Sequence, residues 1–148
     1  MRQSGALWKC DTCGRPFANR NQTHSCGRFT VEGFLAGKSR QAVELYHNFA
    51  EAFEQLDDVI TAPAGTRVGF QVRMIFASVN RLNDDGLFAH VVLARRFENP
   101  RFTKIESISP RNHVHHFVVH DAREIDDEVR SWLREAHDVG KQNHLKDR

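Results

Sequence analysis

Apolar residues along this chain change period twice. Between residues 39 and 56 they recur at three and four: Ala42, Leu45, Tyr46, Phe49, Phe53 and Leu56 make one stripe of a helix. Glu44, Glu51 and Glu54 fall on its solvated side, and Ser39 is the expected N-cap. Residues 30–37 predict a shorter helical turn, capped by Thr30 and stopped by Gly37. From Thr66 the period becomes two, with Val68, Phe70 and Val72 followed by Ile75, Ala77 and Val79. Asn83-Asp84-Asp85-Gly86 is a hairpin turn signal, and residues 86–95 supply the returning strand. Residues 102–108 and 113–120 predict two more strands around Ser109-Pro110-Arg111-Asn112. The helical period then returns over residues 126–139, with Ile125, Val129, Trp132, Leu133, Ala136 and Val139 inward. Asp126, Asp127 and Glu128 occupy its first turn, where the helix dipole favours acid, and Gly140 is the expected stop. Residues 57–65, with Pro63 and Gly65, read as a loop.

These elements predict an α+β fold: helix, a four- or five-stranded antiparallel sheet, and a C-terminal helix. Two helices are too few to cover both sides of such a sheet, so both are expected on one face. The other face is then open to a ligand or partner. The organisation expected is a module at 1–29, the α+β domain at 30–140 and a disordered tail at 141–148.

Composition narrows the class. Among 148 residues, 40% are hydrophobic, and 11 Phe with 2 Trp supply a core, which excludes a wholly disordered chain. No apolar run approaches the ~20 residues needed to cross a bilayer, so no membrane association is expected. Residues 1–9 lack the apolar segment of a signal peptide, and a cytoplasmic protein is expected. The formal charge of +2 is an average over unlike parts. Residues 1–40 carry seven basic groups against Asp11 and Glu32, whereas residues 41–148 carry fourteen basic and seventeen acidic groups. A polyanion partner is therefore compatible with the near-neutral sum.

All three cysteines lie in the basic segment. An odd number in a chain without an export signal argues against a disulfide framework. With His24 they form Cys10-x2-Cys13-x10-His24-x-Cys26, four thiolate or imidazole donors within seventeen residues. Zinc takes four such donors in a tetrahedron, and four protein ligands leave no open position, so a structural zinc is expected.

Four histidines lie between His113 and His120, but strand alternation divides them between two faces; His113 and His115 are the pair able to converge. With Arg73 they define a candidate pocket on the open sheet, to which Arg101 is a further contributor. Arg95, Arg96, Arg101, Lys104 and Arg111, interleaved with Phe97 and Phe102, could join Arg15, Arg20 and Arg28 in an anion-binding surface. Asn21 or Gln22 could then reach base edges. Arg73, set in an apolar stretch, also fits a structural ion pair. No Gly-rich phosphate loop, nucleophile elbow or His-Glu-x-x-His is present. The residues thus favour a non-enzymatic, zinc-stabilised binding protein with nucleic acid as partner. A small-molecule binder or enzyme using the open face, and a protein-interaction module, remain as alternatives.

The motifs also resemble a bacterial family, domain of unknown function 5655, with an N-terminal zinc-finger-like extension. The extension is carried by Trp8-x-Cys10-x2-Cys13-Gly14-Arg15-x-Phe17 and Asn21-Gln22-x-His24-x-Cys26. The body is carried by Leu45-Tyr46, Thr66-Arg67-Val68-Gly69-Phe70, Arg73, Phe76-Ala77, Pro100-Arg101-Phe102-x-Lys104-Ile105, His115-His116-Phe117, Asp126-Asp127-Glu128 and Trp132-Leu133-x-Glu135-Ala136. The resemblance spans about residues 8 to 140. It implies a compact α+β domain and no established activity.

Overall fold

A computed structural model describes residues 7–11, 15–18 and 29–142. Its α+β architecture is a six-stranded antiparallel sheet, a separate two-stranded hairpin and three α-helices. The hairpin pairs β1 (Trp8–Lys9) with β2 (Pro16–Phe17). After it come α1 (Val31–Leu35) and α2 (Arg40–Glu51). The sheet strands are β3 (Ile60–Pro63), β4 (Val68–Gln71), β5 (Ile75–Asn83), β6 (Gly86–Leu93), β7 (Phe102–Ser109) and β8 (Asn112–Val119), and α3 (Asp127–Gly140) closes the chain. The spatial order is β3-β4-β5-β6-β8-β7.

The caps follow the local sequence. Thr30, Ser39 and Asp126 have extended backbones, and their side-chain oxygens accept from the amides of Gly33, Ala42 and Val129. α2 stops at Glu51, earlier than its apolar stripe suggests. Phe53, Glu54 and Leu56 continue in tighter turns, donating to the carbonyls three residues back. Phe53 therefore stays inward and stacks on Phe70 with ring centroids 3.9 Å apart.

Both helices lie on one face. Their residues Phe49, Phe53, Val129, Trp132 and Leu133 join Val68, Phe70, Ala77, Val79, Ala89, Val91 and Phe117 from the strands in one buried cluster. Burying a large aromatic or aliphatic side chain stabilises by about 1.5–3 kcal/mol, so this shared face holds the fold together.

Three departures from expectation have physical reasons. The sheet has six strands, because β3 forms within the segment read as a loop. Pro63 is tolerated at the end of this edge strand, where a missing amide breaks no ladder. Gly140 does not stop α3 by a left-handed turn but is its buried last residue. A Cβ there would lie 2.6 Å from Cδ1 of Phe76, and the Gly140 carbonyl accepts the amides of Arg73 at 2.9 Å and Met74 at 3.1 Å. The 141–148 segment also begins anchored, with Gln142 Oε1 accepting from Arg73 Nε at 2.7 Å, while residues 143–148 lie outside the described residues. The hairpin turn is as expected: Asp84 and Asp85 link β5 to β6, and Asn83 Oδ1 accepts the Asp85 amide at 2.8 Å. Gly86 follows at φ +147°, where a side chain would meet the Val119 carbonyl.

Candidate functional site

The strand registers define what the helix-free face presents. Ala62, Gly69, Ser78, His90, His116 and Lys104 stand opposite one another in one row across all six strands. One neighbouring row runs from Arg81 to Phe88 and Val118, and the other contains Val92, Val114 and Glu106. Arg67 precedes Val68 on the same face, close enough to His90 for its charge to be felt there. The Arg81 guanidinium lies over the Phe88 ring, 4.1 Å from its centroid.

Hydrogen bonds order the middle of this face. Asn80 Nδ2 donates to His90 Nδ1 at 2.8 Å, and His116 Nε2 donates to Glu106 Oε1 at 2.8 Å. The two imidazoles meet edge to face at 5.4 Å. Burial, reinforced by His116 and Arg67, pushes His90 down to about 4, so it is neutral at pH 7. Glu106 is held below the usual carboxylate range by hydrogen bonds from His116 and Lys104. Ser78 Oγ and Asn80 Oδ1 are buried on this face with no hydrogen-bond partner among the described residues.

The N-terminal hairpin docks on the same face. Gln71, only 1% exposed, accepts from Arg15 Nε at 2.9 Å and Nη2 at 2.6 Å, and donates to the Pro16 carbonyl at 2.5 Å. Arg15 also lies 4.6 Å over Phe17. The Cys10 amide donates to the Arg15 carbonyl at 3.0 Å. Cys10 is buried. The other three residues of the expected zinc set, Cys13, His24 and Cys26, lie outside the described residues, as do Arg20 and Arg28. Among the described residues no group of three or more His, Cys, Asp or Glu side chains could hold a metal.

Three of the arginines expected to face an anion, Arg95, Arg96 and Arg101, are paired with carboxylates. Arg95 pairs with Glu135 at 2.9 Å, Arg96 with Glu98 at 2.9 Å and Lys104 with Glu106 at 3.3 Å. Arg101 clamps the start of α3, bonding Asp126 and Glu128 at 3.1 Å and the Glu124 carbonyl at 2.9 Å. Despite burial, which works the other way, the Val129 amide and Arg101 hold the Asp126 carboxyl below its ordinary value. Arg111 lies in the β7–β8 turn, outside any regular row.

The four residues expected around a pocket do not assemble. Arg73 bonds at the C-terminal end of α3 and Arg101 at its N-terminal end, about 20 Å apart along a 14-residue helix. His113, near the start of β8, is bonded to Ser107 Oγ at 2.8 Å and to the Pro110 carbonyl at 3.1 Å. His115 is fully buried on the helix side. Its Nε2 accepts the Phe97 amide at 3.0 Å and its Nδ1 donates to the His113 carbonyl at 2.9 Å, which fixes a neutral ring; burial also lowers its pKa. The residues that sequence reasoning passed over are Arg67, Arg81, Phe88 and His90. Their alternation with Val68, Leu82, Leu87 and Ala89 was the available signal.

Among the described residues, no helix is long and apolar enough to cross a membrane. The model of a family described as a domain of unknown function (DUF5655) matches residues 31–140. No curated protein and no solved structure matches the chain. The match covers most of the sequence, and the chain belongs to that family.

Proposed function

We propose that this member of the DUF5655 family is a non-enzymatic, zinc-anchored binding protein that holds nucleic acid on the helix-free face of its sheet. The observation that carries the reading is the exposure there of Arg67 and Arg81, neither with a carboxylate partner among the described residues. Lys104 shares the face, Arg15 joins it from the hairpin, and Glu106 is the acidic group opposing them. The exposed helix surfaces are the reverse, with Glu44, Glu51, Asp127, Glu128 and Asp138 outnumbering Arg40 and Arg134. A phosphate backbone would meet the first surface and be repelled by the second.

The zinc-finger-like extension supports this reading. Cys10 is tied to the hairpin by its amide bond to the Arg15 carbonyl, and Cys13, three residues on in sequence, would complete four ligands with His24 and Cys26. The metal would crosslink a segment too short to bury its own core. A cytoplasmic setting, which keeps thiols reduced, suits such a site. Protein association has less support: among the described residues the exposed large apolar side chains are Phe29 before α1, Ile75 on β5 and Ile108 on β7. A small ligand is the second reading, favoured by the unpartnered Ser78 Oγ and Asn80 Oδ1.

Two measurements test the proposal. The purified chain should carry about one zinc, lost in Cys13→Ala. Binding of nucleic acid should weaken steeply with salt, and Arg67→Ala with Arg81→Ala should reduce the log–log salt slope by about two. Absence of binding in about 50 mM salt, or binding indifferent to salt, overturns the nucleic-acid reading.

A further inference from the structure

We infer that the nucleic acid accepted by the helix-free face is single-stranded. The inference rests on the nucleic-acid reading above and deepens it by naming the substrate class.

Dimensions come first. Six strands at about 4.8 Å spacing make a face roughly 24 Å across. A duplex exposes its base edges in a major groove about 12 Å wide, which admits a helix or a two-stranded ribbon but not this surface. The two long helices offer no substitute, because their apolar stripes are buried against the sheet and their outward sides are predominantly acidic. A duplex could touch this protein only through its backbone.

The groups on the face suit unpaired bases. Phe88 is half-buried, and the Arg81 guanidinium lies over its ring, 4.1 Å from the centroid. Guanidinium planes and aromatic rings are the surfaces on which splayed bases stack. His90 follows two residues along β6, about 7 Å away, and His116 adjoins it. His90 is neutral, so it offers a flat ring and a hydrogen-bonding edge without a buried charge. Arg67 on the β4 side and Lys104 on β7 flank these rings, four strand spacings or about 19 Å apart. The arrangement is a run of rings flanked by Arg67 on one side and by the Lys104–Glu106 pair on the other.

The full chain, loaded with zinc, should be titrated by fluorescence anisotropy into one labelled mixed-sequence oligonucleotide of about 12 nucleotides. The same sequence is presented as single-stranded DNA, as single-stranded RNA and as the duplex, in about 50 mM and 200 mM salt. The expected result is at least about tenfold tighter binding of a single strand than of the duplex. Phe88→Ala should weaken single-strand binding by roughly tenfold and leave duplex binding unchanged. Arg81→Lys, which keeps the charge and removes the plane, should lose affinity while keeping its salt slope, and it serves if Phe88→Ala does not fold. Equal or tighter duplex binding, or full single-strand affinity in both variants, overturns the single-strand inference and leaves the polyanion reading standing. Failure to bind any of the three at low salt overturns the nucleic-acid reading itself.

Discussion

On the helix-covered side of the sheet, Phe70, Ala77, Val91 and Phe117 are sealed beneath α2 and α3. Behind them, on the same four strands, Gly69, Ser78, His90 and His116 form a row that none of the described helices covers. Each strand thus alternates between two environments, and the side chains differ accordingly. The covered side is bonded by area: rings stack, and its polar exception, His115, has both nitrogens satisfied. The free side is bonded by direction: Asn80 to His90, His116 to Glu106, and Gln71 to the hairpin. Deletions on the first side should cost mainly stability, and deletions on the second mainly docking, pH response or binding.

The largest expected effect is Phe70→Ala, which empties the site where Phe49 and Phe53 meet the sheet. It should cost about 3–5 kcal/mol in chemical denaturation. Phe88→Ala, on the same sheet but half-buried on the free side, should cost clearly less, and equal losses would erase the distinction between the faces. Next is Gln71→Ala, which leaves the Pro16 carbonyl and Arg15 without their buried partner. A loss of about 1–3 kcal/mol is expected, with faster hydrogen exchange in the hairpin. Unchanged exchange there would mean that Gln71 does not hold the hairpin.

The pH response comes third. His90 has a pKa near 4 when folded and an ordinary value near 6.5 when unfolded. Between these values the unfolded chain binds the extra proton, so stability is complete above about 6.5 and declines as pH falls towards 4. Its slope is at most about 1.4 kcal/mol per pH unit, and buried His115 adds in the same direction. His90→Gln should flatten this acid limb in thermal melts taken from pH 7 to 4. The smallest effect is on Arg81→Ala, whose folding stability should change by no more than about 0.5 kcal/mol even though its binding falls.

Much of the fold was legible because its signals are local. Ser39 and Asp126 announce helix starts, the Asn83–Gly86 turn announces a hairpin, and the stripe from Ile125 to Val139 gives the buried side of α3 apart from His137 and Gly140. β3 was missed because Pro63 and Gly65 carry a loop signal that pairing with β4 overrides. The site was legible only in outline. That one face would lack helices followed from counting elements, but Arg95, Arg96 and Arg101 pair with carboxylates. Arg95 and Arg101 stand in a basic run, and their partners Glu135 and Asp126 lie 40 and 25 residues away. Arg67, seen only as part of a family motif, and Arg81 were assigned to no site, since neither stands in a basic run.

Sequence by itself determined the two long helices, their N-terminal caps and most of their inward residues, and the hairpin turn. These depend on propensities and periods within a few residues. Tertiary structure alone decided which arginines are neutralised and which remain, and that Gln71 meets Arg15 across 56 residues. It also decided that Gly140 leaves room for Phe76. A charge or an amide acquires its role from whatever packing brings within about 3 Å, and that distance is not written in any local pattern.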